Sequence, residues 1–271
     1  MKRKIYFNIA RLKQILLCIG IALICTSCYQ DVIDIDLTQI DKRIVIEGVV
    51  SQSSSCKVII SETSNIYSTG GGGRISGAFV SISDDQGNME TLNETEPGVY
   101  ISSSLRGVPG RTYSMEANVN GKVYTAVSKM PVPLELDSIV YNPIYYPVPI
   151  SLYFTDHIGM QDFCRIKIYK NQQYLEDEKI LYNDNYTDGE VIKIDNIEEL
   201  FYRNDNVRIE LITIDKNIYD FYSVFINYEE PEDAEESIID MASANPKSNI
   251  SNNALGYFSA QTVRNYSITI R

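Results

Sequence analysis

Short runs of β-branched and aromatic residues, broken by turn residues about every ten positions, constrain this chain more than anything else in it. Residues 43–50 (RIVIEGVV) alternate in the manner of a strand with one face buried, and 56–61 (CKVIIS) repeat the pattern after a polar turn. Residues 78–92 predict a hairpin, with Asp84-Asp85-Gln86-Gly87-Asn88 supplying the turn. Asn120-Gly121 is a tight-hairpin dipeptide between 112–119 and 123–127. This spacing implies a mainly β fold over 41–130, an antiparallel sandwich of the immunoglobulin or transthyretin sort.

Met130-Pro131-Val132-Pro133 interrupts the series. Two prolines cannot serve a central strand, so 131–136 is read as a linker. Residues 137–271 are then a second β-sandwich-like domain carrying one or two short helices. Strands are expected at 150–154, 163–169 and 207–214, and a closing strand pair at 255–260 and 266–270. Near 217–229 the period changes. Ile218, Phe221, Tyr222 and Phe225 fall on one helical face, with Asp215 or Asn217 as cap and Pro231 as stop. That stripe is expected to pack on a sheet. A second helix is expected from 231 to 241. Gly256 between Leu255 and Tyr257 predicts close packing.

The opening stretch addresses location. Lys2, Arg3, Lys4, Arg11 and Lys13 precede an uninterrupted apolar run over 15–25. As a helix that run spans about 16 Å, short of the ~30 Å hydrocarbon core. Basic start, short apolar run and small residues make 1–27 a secretory signal. Cys28, directly after Thr26-Ser27, sits where a bacterial lipobox places its lipidated cysteine; Cys25, three positions earlier, departs from the usual Leu. Residues 28–40 are then the lipidated Cys and an acidic tether holding Asp31, Asp34 and Asp36. The tether reads either as a surface-export signal or as a solvated linker, and residue types alone leave both open.

Charge narrows the partners. The chain carries a net charge of −12, and every charged residue of the signal is basic, so the mature protein is more acidic still. Nucleic acid and polyanionic glycans need a positive surface and are excluded as general partners. The membrane is engaged through lipid on Cys28.

Catalytic chemistry is thinly represented. His157 is the single histidine, which excludes multi-His zinc sites. No G-x-S-x-G elbow accompanies it, and Cys164 lacks an orienting third group. Gly70 to Gly73 are not followed by Lys-Ser/Thr, so a flexible loop is expected rather than a phosphate loop. The Asp84–Asn88 segment lacks the spacing and closing Glu of a calcium loop. No catalytic residue, metal ligand or cofactor is assigned. Cys56 and Cys164 are expected as buried free thiols. A ligand surface, if there is one, is expected on loops bearing Tyr67 with Gly70–Gly73 and Tyr186 within 183–189.

Taken together, several segments resemble a known family. They are Cys28 followed by Ile33-Asp34-Ile35-Asp36-Leu37, then Ile44-Val45-Ile46-Glu47-Gly48. Gly77-Ala78-Phe79-Val80 precedes the Asp84–Gly87 turn, with Gly98-Val99-Tyr100 and Gly110-Arg111-Thr112-Tyr113 after it. Arg165-Ile166-Lys167-Ile168-Tyr169, Ile209-Glu210-Leu211 and Tyr219-Asp220-Phe221-Tyr222 follow, and Asn245-Pro246 to Asn249-Ile250 leads to Leu255-Gly256-Tyr257-Phe258. This pattern is similar to the domain-of-unknown-function 4249 family of Bacteroidetes lipoproteins. The resemblance implies a lipid-anchored outer-membrane protein, often beside TonB-dependent receptors, and brings no catalytic residues. The expected function is therefore non-enzymatic assistance to such a receptor in nutrient binding or uptake. A surface adhesive or structural module is the competing reading, and a hydrolase using scattered carboxylates a third.

Overall fold

A computed structural model describes residues 42–64, 72–175, 180–184, 188–195, 197, 200–226 and 246–271. The expected second helix at 231–241, the Pro231 stop, Cys28 and the tether lie outside the described residues.

The chain runs β1 (Ile44–Ser51), β2 (Lys57–Glu62), β3 (Phe79–Asp84), β4 (Met89–Thr91), β5 (Asn93–Glu96), β6 (Val99–Ile101), β7 (Thr112–Val119) and β8 (Lys122–Lys129). After the proline segment come β9 (Leu136–Tyr141), β10 (Ile150–Thr155), β11 (Phe163–Lys170), β12 (Gln173–Tyr174), β13 (Ile180–Asn183), β14 (Val191–Ile194) and β15 (Asn206–Thr213). Helix α1 (Lys216–Ile226) and β16 (Leu255–Thr269) complete the elements of the described residues. The fold is mainly β, as the alternation predicts.

Among the described residues the strands form three sheets. A large one runs β12-β11-β15-β16-β1-β2-β6-β5, with β13 also paired to β11. The four-stranded sheet β4-β3-β7-β8 meets the β1–β2–β6 side across a core that includes Ile46, Ile60, Ile82, Tyr113 and Phe258. The three-stranded sheet β14-β10-β9 meets the β11–β15 side across a second core with Leu152, Phe154, Ile166 and Leu211. On β7 and β10 the buried positions are the apolar half of the alternation, the pattern that feeds the two cores.

The C-terminus departs from expectation. Residues 255–269 form one strand rather than a closing pair, because β1 and β15 pair with its two halves from opposite flanks and carry it through 261–265 without a turn. At about 3.3 Å per residue, β16 spans roughly 50 Å. Its first half pairs parallel with β1, Val45 opposite Leu255 through Ser51 opposite Gln261. Its second half pairs antiparallel with β15, Thr262 opposite Thr213. Residues 249–261 belong by sequence order to the second segment, yet Ile250, Ala254, Phe258 and Ala260 fill the first core. The parallel pair is also a departure from a purely antiparallel sandwich.

Two glycines permit that pairing. Gly256 has φ +90°, and a Cβ there would lie 2.1 Å from the Ile46 carbonyl oxygen. Gly48 faces Phe258, whose ring would be 2.7 Å from an added Cβ. The close packing read from Gly256 is thus real.

Helix α1 starts where its sequence predicts. Asp215 Oδ1 accepts the Ile218 N–H at 3.1 Å, so Asp215 rather than Asn217 is the cap. Ile218, with partly buried Tyr219 and Tyr222, packs over Phe163, Ile212 and Ile214 on the outer face of the large sheet. Phe221 and Tyr222 meet Tyr257 at ring-centroid distances of 5.0 and 5.6 Å. Ile218, Phe221 and Tyr222 of the stripe therefore pack against a sheet, and the Phe225 side chain lies outside the described residues.

Candidate functional site

The proline segment bridges the two cores without joining a strand, and a cleft of about 400 Å³ opens beside it. Met130, Val132, Met160, Phe163 and Ile214 give it apolar walls, with Lys129 and Lys216 at its polar edge. Four non-adjacent pieces converge there: Gly110 ahead of β7, the end of β8 with the proline segment, the 156–162 loop between β10 and β11, and the 214–215 turn before α1. Two acids, Asp162 and Asp215, complete the lining.

Asp215 is held by its role at the helix start. Ser128 Oγ donates to its Oδ2, and the same hydroxyl accepts the Ala260 N–H at 2.8 Å. Burial pushes the Asp215 carboxyl up, against the pull of the Ser128 and backbone N–H donors. Asp162 lies almost fully buried. Its Oδ2 accepts the His157 N–H at 2.7 Å and meets His157 Nδ1 at 2.9 Å. Burial pushes this carboxyl up as well, with the His157 backbone bond and ring opposing.

The network continues inward. The Asp162 N–H donates to Asp184 Oδ2 at 2.8 Å, and the Asp184 N–H returns to the Asp162 carbonyl at 3.3 Å. Asp188 Oδ1 accepts the Gly159 N–H at 2.7 Å. Asp156 is 3 % exposed, and its Oδ2 accepts the Tyr182 hydroxyl at 3.4 Å while its Oδ1 has no partner among the described residues. Asp184 and Asp188 are thus fastened to the His157 loop, an association sequence order does not announce. Among the described residues no set of three His, Cys, Asp or Glu side chains is placed to hold a metal ion.

The residues singled out in the sequence fare differently. Cys28, Tyr67 and Tyr186 lie outside the described residues, as do Gly70 and Gly71. Gly72 runs against the end of β2, where an added Cβ would sit 1.6 Å from the Glu62 carbonyl oxygen, and Glu62 N donates to Gly73 O at 3.0 Å. Gly72 serves that close backbone approach, whereas an added Cβ at Gly73 would meet only the Glu62 side chain, at 3.8 Å. Cys56 and Cys164 are free and buried, one in each core, and burial pushes both thiols up, away from the reactive thiolate. Cys164 points into the second core while His157 is engaged with Asp162, so the two do not pair.

The Asp84 turn is a closed structural unit. Its carboxylate accepts the Gln86 and Asn88 N–H groups at 3.0 and 2.9 Å, the Asn88 amide at 2.8 Å and the Arg111 guanidinium at 2.7 Å. Burial alone would raise this carboxyl; those donors outweigh it and hold it at about 2.

Asp162 carried no local signal, because its place at the cleft depends on the 156–162 loop meeting the distant Asp184. Asp215 was visible only as a cap.

A family model described as "Domain of unknown function (DUF4249)" matches residues 30–267. Among solved structures, the FN1–FN3 domains of chicken CNTN1 align at 12 % identity and TM-score 0.24, covering 63 % of this chain and 60 % of that one. At that score the likeness carries no argument. No curated protein matches the chain.

Proposed function

From a chain that belongs to the DUF4249 family, we propose a non-enzymatic lipoprotein of the outer membrane, anchored through Cys28, that assists a TonB-dependent receptor in binding or taking up a nutrient. The observation that carries it is the stretch ahead of the matched region: a basic start, an eleven-residue apolar run over 15–25, and Thr26-Ser27-Cys28. Several acyl chains on one cysteine hold a protein stably at a bilayer, where a single chain would not.

Binding rather than turnover is supported by how the cleft spends its acids. A general acid must reach the proton it transfers. Asp162 is committed to His157, and Asp215 to Ser128 and the start of α1. What is left facing the cleft is an apolar wall with a polar edge, the usual character of a small-molecule site.

Affinity capture of the tagged protein from native membranes tests the partnership. Reproducible recovery of a β-barrel receptor is expected; repeated recovery of this chain alone overturns it. Separately, Cys28→Ala is expected to move the protein from the membrane to the soluble fraction, and unchanged membrane retention would sink the lipid anchor.

A further inference from the structure

The outer face of the large sheet is only partly covered. Alternation sends Cys164, Ile166 and Ile168 of β11 into the second core and leaves Phe163, Arg165, Lys167 and Tyr169 on the other side. Across the ladder Arg165 lies opposite Ile212, Lys167 opposite Glu210, and Tyr169 opposite Arg208. Helix α1 closes the Phe163–Ile212 end. Beyond it, among the described residues of β11 and β15, that face holds Arg165, Lys167 and Arg208 against Glu210, in a chain whose net charge is −12.

Aromatic rings hold those cations in place. The Arg165 guanidinium lies 4.1 Å from the Tyr222 ring centroid, Lys167 Nζ 5.5 Å from Tyr174, and the Arg208 guanidinium 3.5 Å from Tyr169. Tyr169 and Tyr174 are themselves 5.2 Å apart. Glu210 is already taken, by Arg208 and by the Tyr169 hydroxyl at 3.1 Å. Arg165 and Lys167 keep ring partners but have no ion pair among the described residues.

That arrangement carries an internal cost. Like charges side by side on one sheet face repel. Burial, then the charges of Arg165 and Arg208, push the Lys167 ammonium below its usual range, with Glu210 only partly opposing. An anion seated there would lift the repulsion and meet one planar guanidinium and one compact ammonium, whose Cα atoms lie about 6.6 Å apart along the strand. Such a pair can be bridged by a single carboxylate.

We propose that this face is a binding site for a small organic anion, its carboxylate seated between Arg165 and Lys167 and its ring body lying beside Tyr174. The site is independent of the lipid anchor and of any receptor. The patch is one carboxylate wide, which suits a small acid rather than a polyanion.

The test is an NMR titration of the protein purified in nonionic detergent. Benzoate is set against neutral benzamide, and glucuronate against glucose. Saturable shifts are expected with at least one acid and with neither neutral analogue; which acid binds tells an aryl acid from a sugar acid. Lys167→Gln and Arg165→Gln are each expected to weaken binding about ten-fold, Lys167→Arg to preserve it, and Lys57→Gln on β2 to leave it unchanged. Absence of saturable shifts up to about 10 mM of both acids overturns the proposal. So does binding that survives in both Gln variants, or equal binding of the neutral analogues.

Discussion

Asp84 in the first half collects two backbone N–H groups, an amide and a guanidinium, and its carboxyl falls to about 2. Glu90 and Glu94, in the same half, are likewise held below the usual range, Glu90 by the Leu105, Ser103 and Ser104 donors that outweigh its burial, and Glu94 chiefly by Ser76. Asp162 and Asp215, at the cleft, go the other way, since burial raises both despite their hydrogen bonds. Asp205, at the β15 turn, follows the first pattern, held down by the Asn171, Tyr202 and Lys170 donors despite burial. The difference therefore belongs to the cleft rather than to the second half at large. Where turns are built, acids are paid for by donors; where the two cores meet, acids are kept under a desolvation load.

The largest test of that comparison strikes what the two halves share. Gly256→Val would put a β-branched side chain at φ +90°, against the Ile46 carbonyl. A loss of roughly 4 kcal/mol is expected in urea unfolding. Hydrogen exchange should speed in β7 and in β10 alike; protection retained in β10 would mean the halves are stable separately.

Next is the first-half turn. Asp84→Ala should cost about 2 kcal/mol at neutral pH, from the charged hydrogen bonds lost. The sign with pH is fixed by the depressed folded carboxyl: its contribution is whole above about 4 and drains as pH falls toward 2. The gap between wild type and Asp84→Ala, followed by urea unfolding, should narrow over that window. A constant gap would break the comparison.

At the cleft the sign reverses. Asp215 binds its proton more tightly when folded, so it subtracts stability as pH rises from about 4 through its raised value. Asp215→Asn keeps a capping oxygen and should stay within about 1 kcal/mol of wild type while flattening that slope, whereas Asp215→Ala should cost about 1 kcal/mol more. Equal slopes in wild type and Asp215→Asn would remove the desolvation account.

The smallest effect is expected at Ile144, 87 % exposed in the loop after β9. Ile144→Ser should change thermal stability by less than about 0.5 kcal/mol. A larger loss would mean that this loop packs against something in solution.

Much of this architecture was legible because its signals are local. Alternation located most strands, and the positions of Ile218, Phe221 and Tyr222, with an acid ahead of them, located α1 and its cap. The Asp84 turn and the packing role of Gly256 were readable for the same reason. Strand partnership was not, because register is decided between distant segments. Residues 255–269 read as two strands when viewed alone, and only β1 and β15 on opposite sides make them one. The cleft was hidden for that reason too: Lys129, Asp162 and Asp215 are far apart in sequence, and nothing near any of them names the others.

The long strand has a mechanical side. The chain enters the body at Lys42 and passes directly into β1, whose hydrogen bonds run across to β16 on one flank and β2 on the other. A pull on that end acts along β1, at right angles to the antiparallel β2 bonds and obliquely to the parallel β16 bonds. The ladder is then loaded in shear, with its bonds sharing the force rather than opening one by one. Through β16 that force reaches β15 and the second core without crossing a loop, so a drag on either half is borne by both.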